Sequence, residues 1–167
     1  MIISDSVEVA ASPEVIWAQV ADPAQMPRWS PENTGAPVGA GRPLEVGDVF
    51  HGTNKRGSAR WVTRCTVTAA EPGKVFSFDV GAIGVKNPRL RGKIASWSYT
   101  FEPVGSGSRV TETWTDLRDG WPDWAAAVFD KVATSGSLFS DFQRRNIKRT
   151  LANLKADFES PGSQRAG

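Results

Sequence analysis

The 167 residues, 40% hydrophobic and 23% charged with a formal charge of +2, suffice for one soluble globular domain but not two, and give no electrostatic reason for a nucleic-acid partner. The lone cysteine, Cys65, excludes an intramolecular disulfide and fits a reducing, cytoplasmic compartment. The opening MIISDSVEV lacks the basic and apolar regions of a signal peptide, and no run reaches the roughly 18 apolar residues of a membrane span, so no stable membrane insertion is expected.

Ile2 to Ala10 alternates, with Ile3, Val7 and Val9 opposed to Ser4, Ser6 and Glu8, which predicts a strand with one buried face. Ser12-Pro13-Glu14 combines a capping serine, a proline at the first helical position and an acid at the positive end of the helix dipole. It opens a short helix to about Val20, expected to bury Val15, Ile16 and Val20. Asp22-Pro23 repeats the signal for a second short helix ending near Trp29. Residues 30–47 are crowded with Pro and Gly and read as loop or irregular strand.

From Asp48 the pattern is of strands and turns. Val49 to Asn54 is one strand. Ala59 to Ala70 is another, with Ala59, Trp61, Thr63, Cys65 and Val67 on one side. Glu71-Pro72-Gly73 fits a type II turn. Lys74 to Val80 groups Phe76, Phe78 and Val80, and residues 81–92 read as a glycine-bearing loop. Lys93 to Glu102 groups Ala95, Trp97, Tyr99 and Phe101. Val104-Gly105-Ser106-Gly107 turns the chain into Ser108 to Asp116, where Val110, Glu112 and Trp114 share a face. Residues 117–136, with Trp121, Trp124 and Phe129, are too long for a tight connection and read as a lid.

The stretch from Ser137 to Glu159 is the long helix. Ile147, Leu151, Leu154 and Phe158 recur at i, i+4, i+7 and i+11, one apolar stripe that must be buried. The first half of the same face carries Phe139, Gln143, Asn146 and Thr150, mixing polar with apolar groups, as the wall of a partly polar cavity would. Residues 160–167 are expected to be a disordered tail to a single domain of residues 1–159. The fold class is therefore α+β, a curved antiparallel sheet wrapped around a long C-terminal helix with two short N-terminal helices. Antiparallel strands with one polar face need cover only on the other, and space left where sheet and helix diverge is a natural pocket.

ASPEVIW (Ala11 to Trp17), RWSPE (Arg28 to Glu32), CTVTAAEPGKVFSFDV (Cys65 to Val80) and WSYTFEPVGSGSRVTETW (Trp97 to Trp114) carry a resemblance to the START/SRPBCC superfamily. This is the helix-grip fold of Bet v-type allergens, lipid-transfer START domains and polyketide cyclase/dehydrase proteins. The resemblance spans residues 2–158 and implies apolar or amphipathic ligands between sheet and helix. It brings no catalytic set with it, and fold alone does not settle function.

Seven Trp and eight Phe stand against one His and one Tyr, a balance suited to a hydrophobic pocket rather than to proton transfer or metal chemistry. The expected lining is Trp61, Phe78, Trp97, Tyr99, Glu112 and Trp114, with Gln143 and Asn146 from the helix; the alternative is a solid aromatic core. Glu112, inward among aromatics, is the catalytic candidate: its raised pKa would suit general acid/base work or anchoring of a ligand hydroxyl. The alternative is pairing with Gln143, Asn146 or an arginine. His51 and Cys65 read as a surface histidine and a buried thiol. One His and one Cys cannot supply the three or four ligands zinc prefers, so no metal and no cofactor is expected. Arg144, Arg145, Lys148 and Arg149 read first as the solvated face of a helix.

The expected function is binding, with transport as its extension, of a hydrophobic small molecule such as a lipid, polyketide or aromatic metabolite. Two alternatives stay open: a metal-free enzyme of the cyclase/dehydrase type, and a regulatory or toxin-like module acting through protein contacts. Nothing in the sequence sets an oligomeric state.

Overall fold

The computed structural model describes residues 1–119, 121 and 139–162. Seven strands form one antiparallel sheet: β1 (Ile2–Val9), β2 (Asn33–Val38), β3 (Val49–Arg56), β4 (Ala59–Glu71), β5 (Val75–Gly84), β6 (Leu90–Val104) and β7 (Gly107–Asp116). Their order is β1-β7-β6-β5-β4-β3-β2. Strands β2 to β7 meander by neighbouring hairpins, and β1 returns to pair with β7. The long helix, α2 (Phe139–Phe158), lies against β1 and β7. This is the helix-grip architecture.

Helix α1 (Pro13–Val20) begins as its sequence dictates, with Ser12 Oγ accepting from Val15 N at 3.4 Å; such a cap contributes about 1 kcal/mol. The buried side differs from expectation. Val15 is exposed, whereas Pro13, Ile16, Trp17 and Val20 are buried. A step of about 100° per residue brings positions 13, 16, 17 and 20 together and sends 15 to the far side. The indole of Trp17 is then satisfied by donating to Val75 O at 2.8 Å. The second short helix is 3₁₀, over Pro23–Arg28, with Pro27 inside it. Asp22 Oδ1 accepts from Ala24 N at 3.0 Å and from Gly41 N at 2.8 Å, tying the following loop to this helix.

Residues 30–47 include an irregular strand, one of the two forms their sequence allowed, whereas most of the expected 81–92 loop is strand. Within residues 30–47, Asn33–Val38 forms β2 at the sheet edge, its register to β3 slipping on either side of Gly35. Pro37, without an N–H, is tolerable on such an edge. Strand β5 continues through Gly81 to Gly84, and β6 starts at Leu90, so only residues 85–89 turn. A register shift between Val80 and Ala82 absorbs the irregularity as a bulge. The Glu71-Pro72-Gly73 turn forms as read: Gly73 has φ +71° and Lys74 N donates to Glu71 O at 3.0 Å.

The C-terminal half of α2 is fastened tightly. Ile147, Leu151, Leu154 and Phe158 are buried, each contributing about 1.5–3 kcal/mol relative to exposure. Trp29 stacks on Phe158 with ring centroids 6.0 Å apart, and its indole donates to Asp157 Oδ2 at 2.8 Å. Asn153 Nδ2 donates to Trp29 O, and Lys155 Nζ to Glu8 O. The N-terminal half instead presents Gln143, Asn146 and Thr150, all buried.

Candidate functional site

Alternation along the strands sends one aromatic row after another to the concave face. The register puts Phe78 opposite Trp97 and Trp97 opposite Trp114. The next row sets Phe76 opposite Tyr99 and Tyr99 opposite Glu112. Between this face and the N-terminal half of α2 lies a cavity of about 460 Å³, within the usual range for small-molecule sites. Trp61, Phe78, Trp97, Tyr99, Glu112 and Trp114 line it from the sheet, and Gln143 and Asn146 from the helix. All eight side chains expected around a pocket therefore meet around one cavity.

The Tyr99–Glu112 pair is the polar centre of that wall. The Tyr99 hydroxyl donates to Glu112 Oε1 at 2.7 Å. Burial pushes the Glu112 carboxyl up to about 8, with the Tyr99 hydrogen bond pulling only partly back. Burial, and then the neighbouring carboxylate, raise the Tyr99 hydroxyl well above its ordinary value. Glu112 thus finds its partner directly across the strand pair, not in Gln143, Asn146 or an arginine. Near neutrality it is largely a neutral acid, able to donate from one oxygen while accepting on the other.

Strand alternation did not reveal a second polar group. Glu32, just before β2, forms an ion pair with Arg56 at the end of β3, and Asn146 Nδ2 approaches Glu32 Oε2 at 3.5 Å. The Arg56 guanidinium lies over Phe142, 3.6 Å from the ring centroid, and over Trp61 at 5.6 Å. Desolvation raises the Glu32 carboxyl even though Arg56 opposes it. Arg118 also reaches the cavity wall, held in a fork by Asp116 through Nε to Oδ1 at 2.9 Å and Nη2 to Oδ2 at 2.6 Å.

Four buried side-chain atoms lack a hydrogen-bond partner among the described residues: Arg56 Nη1, Glu112 Oε2, Gln143 Oε1 and Asn146 Oδ1. Every one belongs to a cavity-lining residue. An unmet buried polar atom costs about 1–3 kcal/mol, so their gathering at one cavity calls for an explanation there.

Other candidates fall elsewhere. Cys65 is buried at the cavity wall, its thiol pushed up to about 12 by burial, which leaves it inert as a nucleophile. His51 is half-buried on β3. Of RWSPE, Trp29 and Arg28 fasten α2 through Asp157, while Ser30 and Glu32 line the cavity. Of the lid residues, the Trp121 indole lies within 3.5 Å of where a β-carbon on Gly92 would be. Trp124 and Phe129 lie outside the described residues, as do residues 163–167 of the expected tail. Arg144, Arg145, Lys148 and Arg149 are exposed on the outer side of α2. No helix among the described residues is long and apolar enough to cross a membrane.

A curved sheet gripping a helix over an aromatic cavity defines the helix-grip class. Within that class, residues 2–159 match the family described as "Polyketide cyclase / dehydrase and lipid transport", and the chain belongs to this family. Solved structures share the fold at low identity. Protein Ms6760 from Mycobacterium smegmatis is 18% identical with a TM-score of 0.65, over 95% of this chain and 91% of that one. The polyketide cyclase-like protein Cgl2372 from Corynebacterium glutamicum is 24% identical with a TM-score of 0.59, over 95% and 93%. Protein MLL2253 from Mesorhizobium loti is 17% identical with a TM-score of 0.61, over 96% and 99%. Among curated proteins none matches the chain.

Proposed function

We propose that the protein reversibly binds a hydrophobic small molecule, a lipid, polyketide or other aromatic metabolite, in the cavity between sheet and α2. The observation that carries this reading is the coincidence of the aromatic wall with the four unmet polar atoms. An apolar body would displace water from the tryptophans, and a few hydroxyl or carbonyl groups would orient it against Glu112, Gln143, Asn146 and Arg56. The family description supports the ligand class. A cytoplasmic site of action, which the free, buried Cys65 suits, belongs to the same reading.

Titrating the protein with a panel of polycyclic and fatty-acyl compounds while following intrinsic tryptophan fluorescence tests it. Saturable change at one ligand per chain, weakened in Trp97→Ala, is the expected result. A panel that leaves the emission unchanged overturns it.

The Tyr99–Glu112 pair favours a second reading, a cyclase/dehydrase-type enzyme. A carboxyl with a pKa near 8 is poised to give a proton to a carbonyl and take one back at neutral pH. Turnover of a polyketide mimic, abolished in Glu112→Gln but retained in Gln143→Ala, would establish it. Absence of turnover together with tight binding leaves the binding reading alone.

A further inference from the structure

We infer that the tips of the β3–β4 and β5–β6 hairpins form a docking face for an anionic lipid bilayer at the open end of the cavity. An apolar ligand would then pass between bilayer and cavity without crossing water. This rests on the binding reading above, and names where the ligand enters and what supplies it.

The two hairpins are neighbours, since Val62 pairs with Gly84 across β4 and β5. At their tips Val85 is 76% and Leu90 57% exposed, yet both also line the cavity. These aliphatic side chains therefore rim the mouth. Around them Lys55 and Arg60 on one hairpin and Lys86, Arg89 and Arg91 on the other are all exposed. None of these five side chains forms an ion pair or hydrogen bond among the described residues. Stretches 55–64 and 82–93 hold four Lys or Arg each and no Asp or Glu. At this end of the sheet Glu32 is taken by Arg56 and Asp116 by Arg118, and among the described residues the exposed acid is Asp119, just beyond β7.

A cationic ring around exposed aliphatics matches the layers of a charged membrane surface: lipid phosphates outside, acyl chains beneath. A nucleic acid would meet the charges but gain nothing from Val85 and Leu90, and among the described residues the rim has no exposed aromatic ring for base stacking. Continuity of the rim with the cavity favours the bilayer, because one surface then both docks and delivers.

Co-sedimentation with vesicles tests the face. Wild type should bind vesicles of phosphatidylcholine mixed with phosphatidylglycerol, bind those of phosphatidylcholine alone far less, and be released by high salt. Each cation near such a surface changes partitioning about five-fold, so K86Q/R89Q/R91Q should weaken it roughly a hundred-fold. The single variant K86Q should weaken it about five-fold and serves if the triple variant folds poorly. R144Q/R145Q, on the outer side of α2, should bind as wild type. Uptake of Nile red in the absence of vesicles reads the cavity separately. Unchanged vesicle binding in K86Q and the triple variant, loss in R144Q/R145Q instead, or binding of a short RNA duplex without vesicle binding overturns the docking face, whatever Nile red does. Loss of vesicle binding in the triple variant with no Nile red uptake in wild type keeps the docking face and removes the cavity reading.

Discussion

The Tyr99 hydroxyl reaches Glu112 Oε1 at 2.7 Å from the position directly opposite it on the neighbouring strand, and both side chains are buried. The pairing follows from a two-residue loop. Gly105, at φ +58°, lets Val104 pair with Gly107, and eight residues of regular ladder then align 99 with 112. Glu112 therefore keeps one oxygen engaged and one unmet, Oε2. That asymmetry gives a buried acid a defined direction in which to hydrogen-bond.

Stability should fall with rising pH through this one group. The folded Glu112 pKa, about 8 against an ordinary 4.5, means the native state holds a proton that the unfolded chain has lost. The contribution is fully present below pH 4.5 and is lost between there and about pH 8. Glu112→Gln mimics the neutral acid and cannot ionise. In urea unfolding the variant should match wild type at about pH 4 and exceed it by several kcal/mol, on the order of 3–5, above pH 8. Parallel curves across that range would show that Glu112 does not titrate while buried.

Tyr99→Phe removes the donor and keeps the ring. A net loss of about 1–2 kcal/mol is expected, because Glu112 is left with neither oxygen satisfied. The Glu112 pKa should rise further, since the Tyr99 hydrogen bond is what pulls it down. The pH-dependent limb of the stability curve should thus move to higher pH in Tyr99→Phe and vanish in Tyr99→Phe/Glu112→Gln. A limb that stays in place would assign the titration to another group.

Period-two alternation made the concave face legible before any coordinates, because Trp97, Tyr99, Val110, Glu112 and Trp114 lie in unbroken strands where parity alone decides the side. The helix stripe from Ile147 to Phe158 was equally plain. Parity failed where the ladder slips. The Glu32–Arg56 pair depends on β2, whose register shifts twice around Gly35, so no count from either end places Glu32 beside the cavity. Residues 81–84 read as loop because glycine has weak strand propensity, yet a bulge lets the pairing pass through them. Val15 was misplaced because five apolar side chains in eight residues, Val15, Ile16, Trp17, Ala18 and Val20, fit more than one helical face.

Asp157 tests how α2 is held. Its carboxylate accepts from the indole of Trp29, which is 1% exposed, and from Arg28. Asp157→Ala should cost about 1–3 kcal/mol, mostly from stranding a buried indole N–H. Asp157→Asn retains an acceptor oxygen and should recover most of that loss, since the Arg28 pair is partly exposed and adds little. Thermal unfolding separates the two variants. Equal destabilisation would mean that the charge, not the indole, fastens the helix.

Ala95 tests whether the space is truly a cavity. Its side chain is buried on β6 and lines the wall between Val80 and Asp116 in register. In a filled core a phenylalanine at this position would overpack and cost about 1–3 kcal/mol. Entering a 460 Å³ space, the ring instead buries apolar surface without displacing neighbours, a gain of up to about 2 kcal/mol. Ala95→Phe should therefore melt at or above the wild-type temperature while losing the fluorescence response to polycyclic ligands. A variant that melts lower and still binds would place the ligand elsewhere, and one that melts lower without binding would mean the residues around Ala95 are packed as a core.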